Sequence, residues 1–228
     1  VIMPELYLVG VCPFDIVKRQ RMTAILDAVH PAAVGVERSK GGFEAIMKHA
    51  HAPSRTKVYA GLLDQWRERY PLSHPQTLDM YIRSLLASNK MISDYARENS
   101  VPLLYGVSTI SQAVGDDFLF MCHDDDGLAD FLQLPPIEAA MRIRQQYAQR
   151  EYAVSDAKAA QAQDFNTALT LRRQKGRIVY FGSLPHIFPG YKSNLIDRLR
   201  DLQPARLKLE DADTPARLQQ KLRRAGGA

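Results

Sequence analysis

Apolar residues along this chain fall into two patterns, short continuous runs of strand length and longer stripes of helical spacing. Leu6 to Val11 (LYLVGV) is a run of the first kind, broken by Gly10 and Pro13, and Asp15 is placed to cap a following helix. In that helix Met22, Ile25, Leu26 and Val29 share one face while Lys18, Arg19 and Arg21 stay on the wet side. Pro31 opens a second apolar run that ends at Glu37, so the opening stretch predicts a βαβ unit. Both strands of such a unit point their carboxyl ends the same way. The Gly10 to Asp15 loop and Glu37 are therefore expected side by side, at the edge where open α/β sheets bind ligands.

Beyond Glu37 the pattern turns mainly helical. Gly41 and Gly42 mark a turn, Phe43 to His49 predicts a short helix, and Val58 to Trp66 carries apolar residues at helical spacing. Leu78, Tyr81, Ile82, Leu85, Leu86, Ile92 and Tyr95 predict a helix over Thr77 to Asn99, followed by a short buried strand, Val101 to Tyr105. Ser108 and Ser111 begin another turn and helix. Phe118 to Cys122 is apolar, and Gly127 to Leu132 predicts a helix capped by Asp125 or Asp126. Pro135 and Pro136 open a long helical region reaching Lys175. Arg177 to Gly182 (RIVYFG) then reads as a fully buried strand, the loop SLPHIFPGYKSN follows, and a helix over Asn194 to Leu202 leads to an edge strand, Arg206 to Leu209. The fold expected is a single α/β domain over residues 1–210, with a central mixed or mainly parallel sheet flanked by helices. A basic carboxyl-terminal helix and frayed tail occupy residues 211–228.

Composition narrows the class. At 46% hydrophobic and 24% charged the chain has the makings of a packed core, which excludes disorder over most of its length. No apolar run approaches the roughly 20 residues of a membrane span, and no signal peptide is visible at the amino end as given. Cys12 and Cys122 lie far apart, so a reducing, cytoplasmic setting is expected. The net charge of +5 raises nucleic acid as a partner. The basic residues are spread, however, and the densest cluster, Arg217 to Arg224, is preceded by Glu210, Asp211 and Asp213, so nucleic-acid binding is not expected. A homo-oligomer is left open.

Two groups invite a metal reading. His49 and His51 would share one side of an extended strand, but Pro53 and polar neighbours point to a surface loop. His123 to Gly127 (HDDDG) sets four potential ligands in a row, which cannot all face one ion unless the backbone turns sharply, and a calcium loop would alternate its acids. A polar loop is the reading for both.

The opening pattern recurs near the other end, where Arg177 to Gly182 ends in glycine and is followed by a Pro-containing loop with His186 and a helix. Two such units, with Val36, Glu37 and Arg38 closing the second strand, resemble the TraB/TIKI superfamily, which includes relatives of the erythromycin esterases. That family opens on a strand ending in GxxH, here Gly10, Val11, Cys12 and Pro13. Its middle helix running into a Val-Pro strand is similar to Met91 to Leu104, and its late Arg-rich helix, buried strand and second GxxH are similar to Arg150 to His186. The departures are specific. The first family histidine falls on Pro13, the second motif is one residue longer, and an acidic-Arg pair falls on Val107 and Ser108.

The resemblance implies metal-assisted hydrolysis of an amide or ester, with a divalent metal ion held by imidazole and carboxylate. Glu37 and His186 are the residues it assigns to catalysis and to the metal, with Gly10, Cys12, Asp15, Arg38, Arg150 and Gly182 lining the ligand cleft. Four of these have a plainer reading: Glu37 in a salt bridge or hydrogen bond, His186 bonded to a backbone carbonyl, Cys12 as a small buried hydrophobe, Arg150 on the surface or in an ion pair. Two ligands are too few for a metal that needs about three from the protein. The expectation is therefore a degenerate metal-hydrolase cleft that binds a small molecule or peptide. The alternatives are an active hydrolase with altered ligands and a non-enzymatic interaction module.

Overall fold

The computed structural model describes residues 5–51, 56–106, 127–154 and 156–225. Its strands are β1 (Glu5–Val11), β2 (Ala33–Val36), β3 (Leu103–Tyr105), β4 (Arg177–Ser183) and β5 (Ala205–Lys208), and they form one sheet in the order β3-β2-β4-β1-β5. Every pairing is parallel, so the chain adopts the expected single α/β domain in its all-parallel form. The helices described are α1 (Lys18–Val29), α2 (Lys40–Ala50), α3 (Lys57–Arg69), α4 (Pro75–Glu98), α5 (Leu128–Gln133), α6 (Pro136–Ala148), α7 (Ala157–Arg172), α8 (Leu184–Ile187), α9 (Leu195–Arg198) and α10 (Pro215–Ala225).

Strand alternation divides the core. Tyr7, Val9, Val34, Val36, Val179, Phe181 and Leu207 point to one face, where they meet α1 to α6 and Leu218 of α10. Leu6, Leu8, Ala33, Ile178 and Tyr180 point to the other, against Ala168 and Leu171 of α7, Ile187 of α8 and Leu195 of α9. Burial on both faces explains why β1 and β4 read as unbroken apolar runs. Three glycines on the second face make room for rings. A Cβ on Gly35 or Gly182 would come within 2.6 Å of the Tyr180 ring, and one on Gly10 within 2.8 Å of Leu184 and Phe188.

Several expectations change. β1 and β2 are not neighbours, because β4 lies between them. Asp15 does not cap α1, which begins three residues later behind Val17. Its Oδ1 instead accepts from the Val17 amide at 2.9 Å. Gly41 and Gly42 sit in the first turn of α2, whose cap is Ser39 accepting from Gly42 N at 3.2 Å. His49 lies in α2 and His51 caps its end, so no extended strand sets the two imidazoles together. β3 is half-buried, and among the described residues only β2 pairs with it. The region expected as one long helix breaks between α6 and α7, where Tyr152 N donates to Pro189 O at 2.7 Å and Lys208 Nζ donates to the Gln149 carbonyl at 2.8 Å. The helix expected over Asn194 to Leu202 is α9 and a 3₁₀ turn, Arg200–Leu202. Residues Val107 to Asp126, with Ser108, Ser111, the Phe118 to Cys122 run and the acids of HDDDG, lie outside the described residues, as does Pro53. Among the described residues no helix is long and apolar enough to cross a membrane.

Candidate functional site

Chain direction at the sheet's carboxyl edge creates the site. After β2 the chain enters α2 on the first face, whereas after β4 it enters α8 on the second. Adjacent parallel strands whose outgoing chains part in this way leave a crevice beyond their carboxyl ends, the usual ligand position in open α/β sheets. Glu37 follows β2, with its amide donating to Phe181 O at 3.1 Å, and Ser183 ends β4 directly beside it. Gly106, just past β3, donates to Val36 O at 2.8 Å and Arg38 O at 3.0 Å. A Cβ there would stand 1.9 Å from the Glu37 carbonyl oxygen, so the edge is held flush against the Glu37 backbone.

Six polar side chains meet in the crevice. His186, one turn into α8, places Nε2 at 3.1 Å from Glu37 Oε1 and Nδ1 at 2.7 Å from Asp164 Oδ1 of α7. Tyr191 donates to Asp164 Oδ2, and its hydroxyl lies 2.7 Å from His186 Nδ1. The other Glu37 oxygen accepts from the Ser183 amide and from Ser183 Oγ at 2.6 Å, while Gln163 Nε2 donates to Oε1 at 3.3 Å. Four donors fill a carboxylate's ordinary capacity. The His186 side chain is 10% exposed and that of Asp164 2%, but Glu37 keeps 25%, so the crevice is reached through Glu37.

The charges follow from this packing. Burial alone would lower the His186 pKa, yet the Glu37 charge and the hydrogen bonds the ring donates to Asp164 and Glu37 outweigh it and push the ring up to about 10. Burial likewise works to raise Glu37, but the His186 charge and the bonds from His186 and Ser183 hold it down at about 2. At neutral pH the pair is an ion pair. An imidazolium and a saturated carboxylate make a rigid polar floor, with no free base facing outward.

The other candidates from the sequence separate from this crevice. Gly182 is opposite Gly10 in the β1–β4 register, and both are filled by packing side chains. Cys12 is buried in the first-face core, and its amide donates to Tyr147 Oη at 3.1 Å. Asp15 is fully buried there too, bonded to Arg21 Nη1 at 2.6 Å and Tyr147 Oη at 2.8 Å. Arg38 is half-buried next to Glu37, and Arg150 is exposed on the link between α6 and α7. Of the eight residues singled out in the sequence, the structure joins Glu37 to His186 directly.

The divalent ion implied by the family resemblance does not fit the described residues. Glu37 and His186 supply one carboxylate oxygen and one imidazole nitrogen already bonded to each other, while Cys12 and Asp15 are engaged on the other face and His123 lies outside the described residues. No cluster of three His, Cys, Asp or Glu side chains suited to a metal occurs among the described residues.

Asp164, Tyr191, Ser183 and Gln163 were not singled out from the sequence. A signal for Asp164 was present, because it interrupts the buried stripe Ala160, Thr167, Ala168 and Leu171, and a charged residue inside an apolar stripe needs a buried partner. Compared with protein-family models, with curated proteins and with solved structures, the chain matches none.

Proposed function

We propose that this chain is a divergent TraB/TIKI-like protein of the cytoplasm whose crevice binds a small molecule or peptide and does not hydrolyse it. The observation that carries this reading is the filled coordination of Glu37: His186, Gln163 and both donors of Ser183 occupy it, leaving neither a free base nor an open metal position. Its place at the diverging ends of β2 and β4 supports a ligand there. Gln163, with its carbonyl oxygen uncommitted by the bond to Glu37, is the side chain that meets the ligand first.

A second reading, a hydrolase with altered ligands, is favoured by Asp164. A carboxyl group on Nδ1 orients a metal-bound histidine in the same manner, with Nε2 turned to the ion. Elemental analysis of protein purified without chelators separates the two. Stoichiometric manganese, cobalt or zinc that disappears in both Glu37→Ala and His186→Ala overturns the binding reading. No retained metal after incubation with each ion, together with ligand-observed NMR hits from a tripeptide and carboxylic-acid library that vanish in Glu37→Ala, supports it.

A further inference from the structure

The outer face of α6 is the least protected apolar surface described. Ile137 is 78% exposed and Met141 55%, and they stand one turn apart on the side opposite Ala139, Ile143 and Tyr147, which face the core. Leu72, 75% exposed, lies on the adjoining turn, which is tied to this corner by His74 N donating to Leu132 O at 2.7 Å and Thr77 Oγ1 to Leu134 O at 2.6 Å. Ile137 and Leu72 thus exceed every other exposed large hydrophobic residue described, and they share one corner.

Charge decides what fits there. Glu138 and Arg142 are exposed, one turn apart, on the same flank of the Ile137–Met141 ridge. In an antiparallel helix pair related by a twofold axis, residues on one flank meet the same flank of the other helix. An axis at the level of Ala140 then sets each Glu138 against the other copy's Arg142, twice over, and interleaves each Met141 with the opposite Ile137 and Met141. A ridge with both charges on one flank, in this order and spacing, is complementary to itself.

We infer that α6 pairs antiparallel with α6 of a second copy of this chain, through Ile137 and Met141 and reciprocal Glu138–Arg142 bridges. One helix of 13 residues is about 20 Å long, and a strip that length and about 10 Å wide covers about 200 Å², well below the roughly 800 Å² per partner of a standard interface, so the dimer is weak and concentration-dependent.

Sedimentation velocity on the full chain, from about 1 µM to about 500 µM, tests this. A reversible monomer–dimer equilibrium is expected. Met141→Asp and Glu138→Arg are each expected to raise Kd at least about tenfold, and the double variant Glu138→Arg/Arg142→Glu to return it to within about threefold of the parent. All positions are exposed, and circular dichroism checks that each variant stays folded. A chain monomeric at every concentration overturns the inference and leaves the ridge to another protein. A dimer indifferent to Met141→Asp, or one the charge exchange does not restore, overturns it equally.

Discussion

Two buried polar clusters stand at the same sheet edge, one on each face, and they are built for different ends. On the first face Asp15 is fully buried and binds Arg21 at 2.6 Å, and Arg21 in turn grips Asp213 with Nε at 2.7 Å, joining residues 192 positions apart in the chain. Tyr147 closes the cluster from α6. On the second face the cation is His186, and its partner Glu37 remains a quarter exposed. A guanidinium keeps its charge at every relevant pH, whereas an imidazolium can lose its own. The first cluster is a clamp between α1 and the segment before α10; the second is titratable and reachable, which is what a binding crevice requires.

The comparison breaks most readily at Asp15. Asp15→Ala leaves Arg21 without its buried partner and Tyr147 without its acceptor, and is expected to cost about 4 kcal/mol in urea unfolding. Paired charges raise the Arg21 pKa against the effect of burial, and burial, followed by the Asp15 charge, raises that of Tyr147. The loss is therefore expected to stay flat from pH 6 to pH 9, and a pH-dependent loss would show that the clamp titrates after all.

His186→Ala should give the opposite profile. The ring's folded pKa of about 10 exceeds its ordinary 6.5, so its stabilisation is complete below 6.5 and declines as pH rises toward 10. Glu37, held at about 2 against an ordinary 4.5, contributes fully above 4.5 and loses its share as pH falls toward 2. Both are in full force between pH 4.5 and 6.5. His186→Ala is expected to cost about 3 kcal/mol near pH 6, with a difference from the parent that shrinks steadily above pH 7. A constant difference up to pH 10 would remove the contrast between the two faces.

The fold was legible because parallel strands buried on both sides write continuous apolar runs, and Leu6 to Val11 and Arg177 to Gly182 are such runs. Strand order was not legible. Nothing local to Leu6–Glu37 reveals that β4, about 140 residues later, enters between β1 and β2, and this insertion is what parts Gly10, Cys12 and Asp15 from Glu37. Glu37 and His186 could be found because each follows a strand end. Tyr191 could not, since its place depends on a loop whose Gly190 packs so closely under Tyr152 that a Cβ would stand 2.0 Å from that residue's carbonyl oxygen. The acids that precede the basic run Arg217–Arg224 were legible in the sequence, but the pairing they make was not. Arg217 and Lys221 turn inward to Asp211, at 2.7 and 2.6 Å.

A smaller test concerns the floor under the crevice. Gly182→Ala would push a methyl group to 2.6 Å from the Tyr180 ring, whose hydroxyl pKa is raised well above its ordinary value by burial and then by the Glu37 and Asp164 charges. Overpacking of this kind is expected to cost about 2 kcal/mol. The ring would shift toward α7, so the His186 imidazole resonances should move as well. Gly41→Ala, where a Cβ meets nothing within 4 Å, should leave them in place and so serves as the control.

Tyr191→Phe is the finest probe, because it removes one hydroxyl and leaves the ring on its edge-to-face contact with His186, 6.0 Å between centroids. Burial and the hydrogen bond to Asp164 raise the Tyr191 pKa, so the phenol stays protonated and donates throughout the neutral range. Its loss frees Asp164 Oδ2 to act on the imidazolium alone. The expected cost is about 1 kcal/mol of stability, accompanied by a higher His186 pKa in a ¹³C-detected imidazole titration. A titration unchanged in Tyr191→Phe would mean that Asp164 holds the ring by geometry alone. Tyr191 would then belong with the packing residues of the second face and not with the crevice.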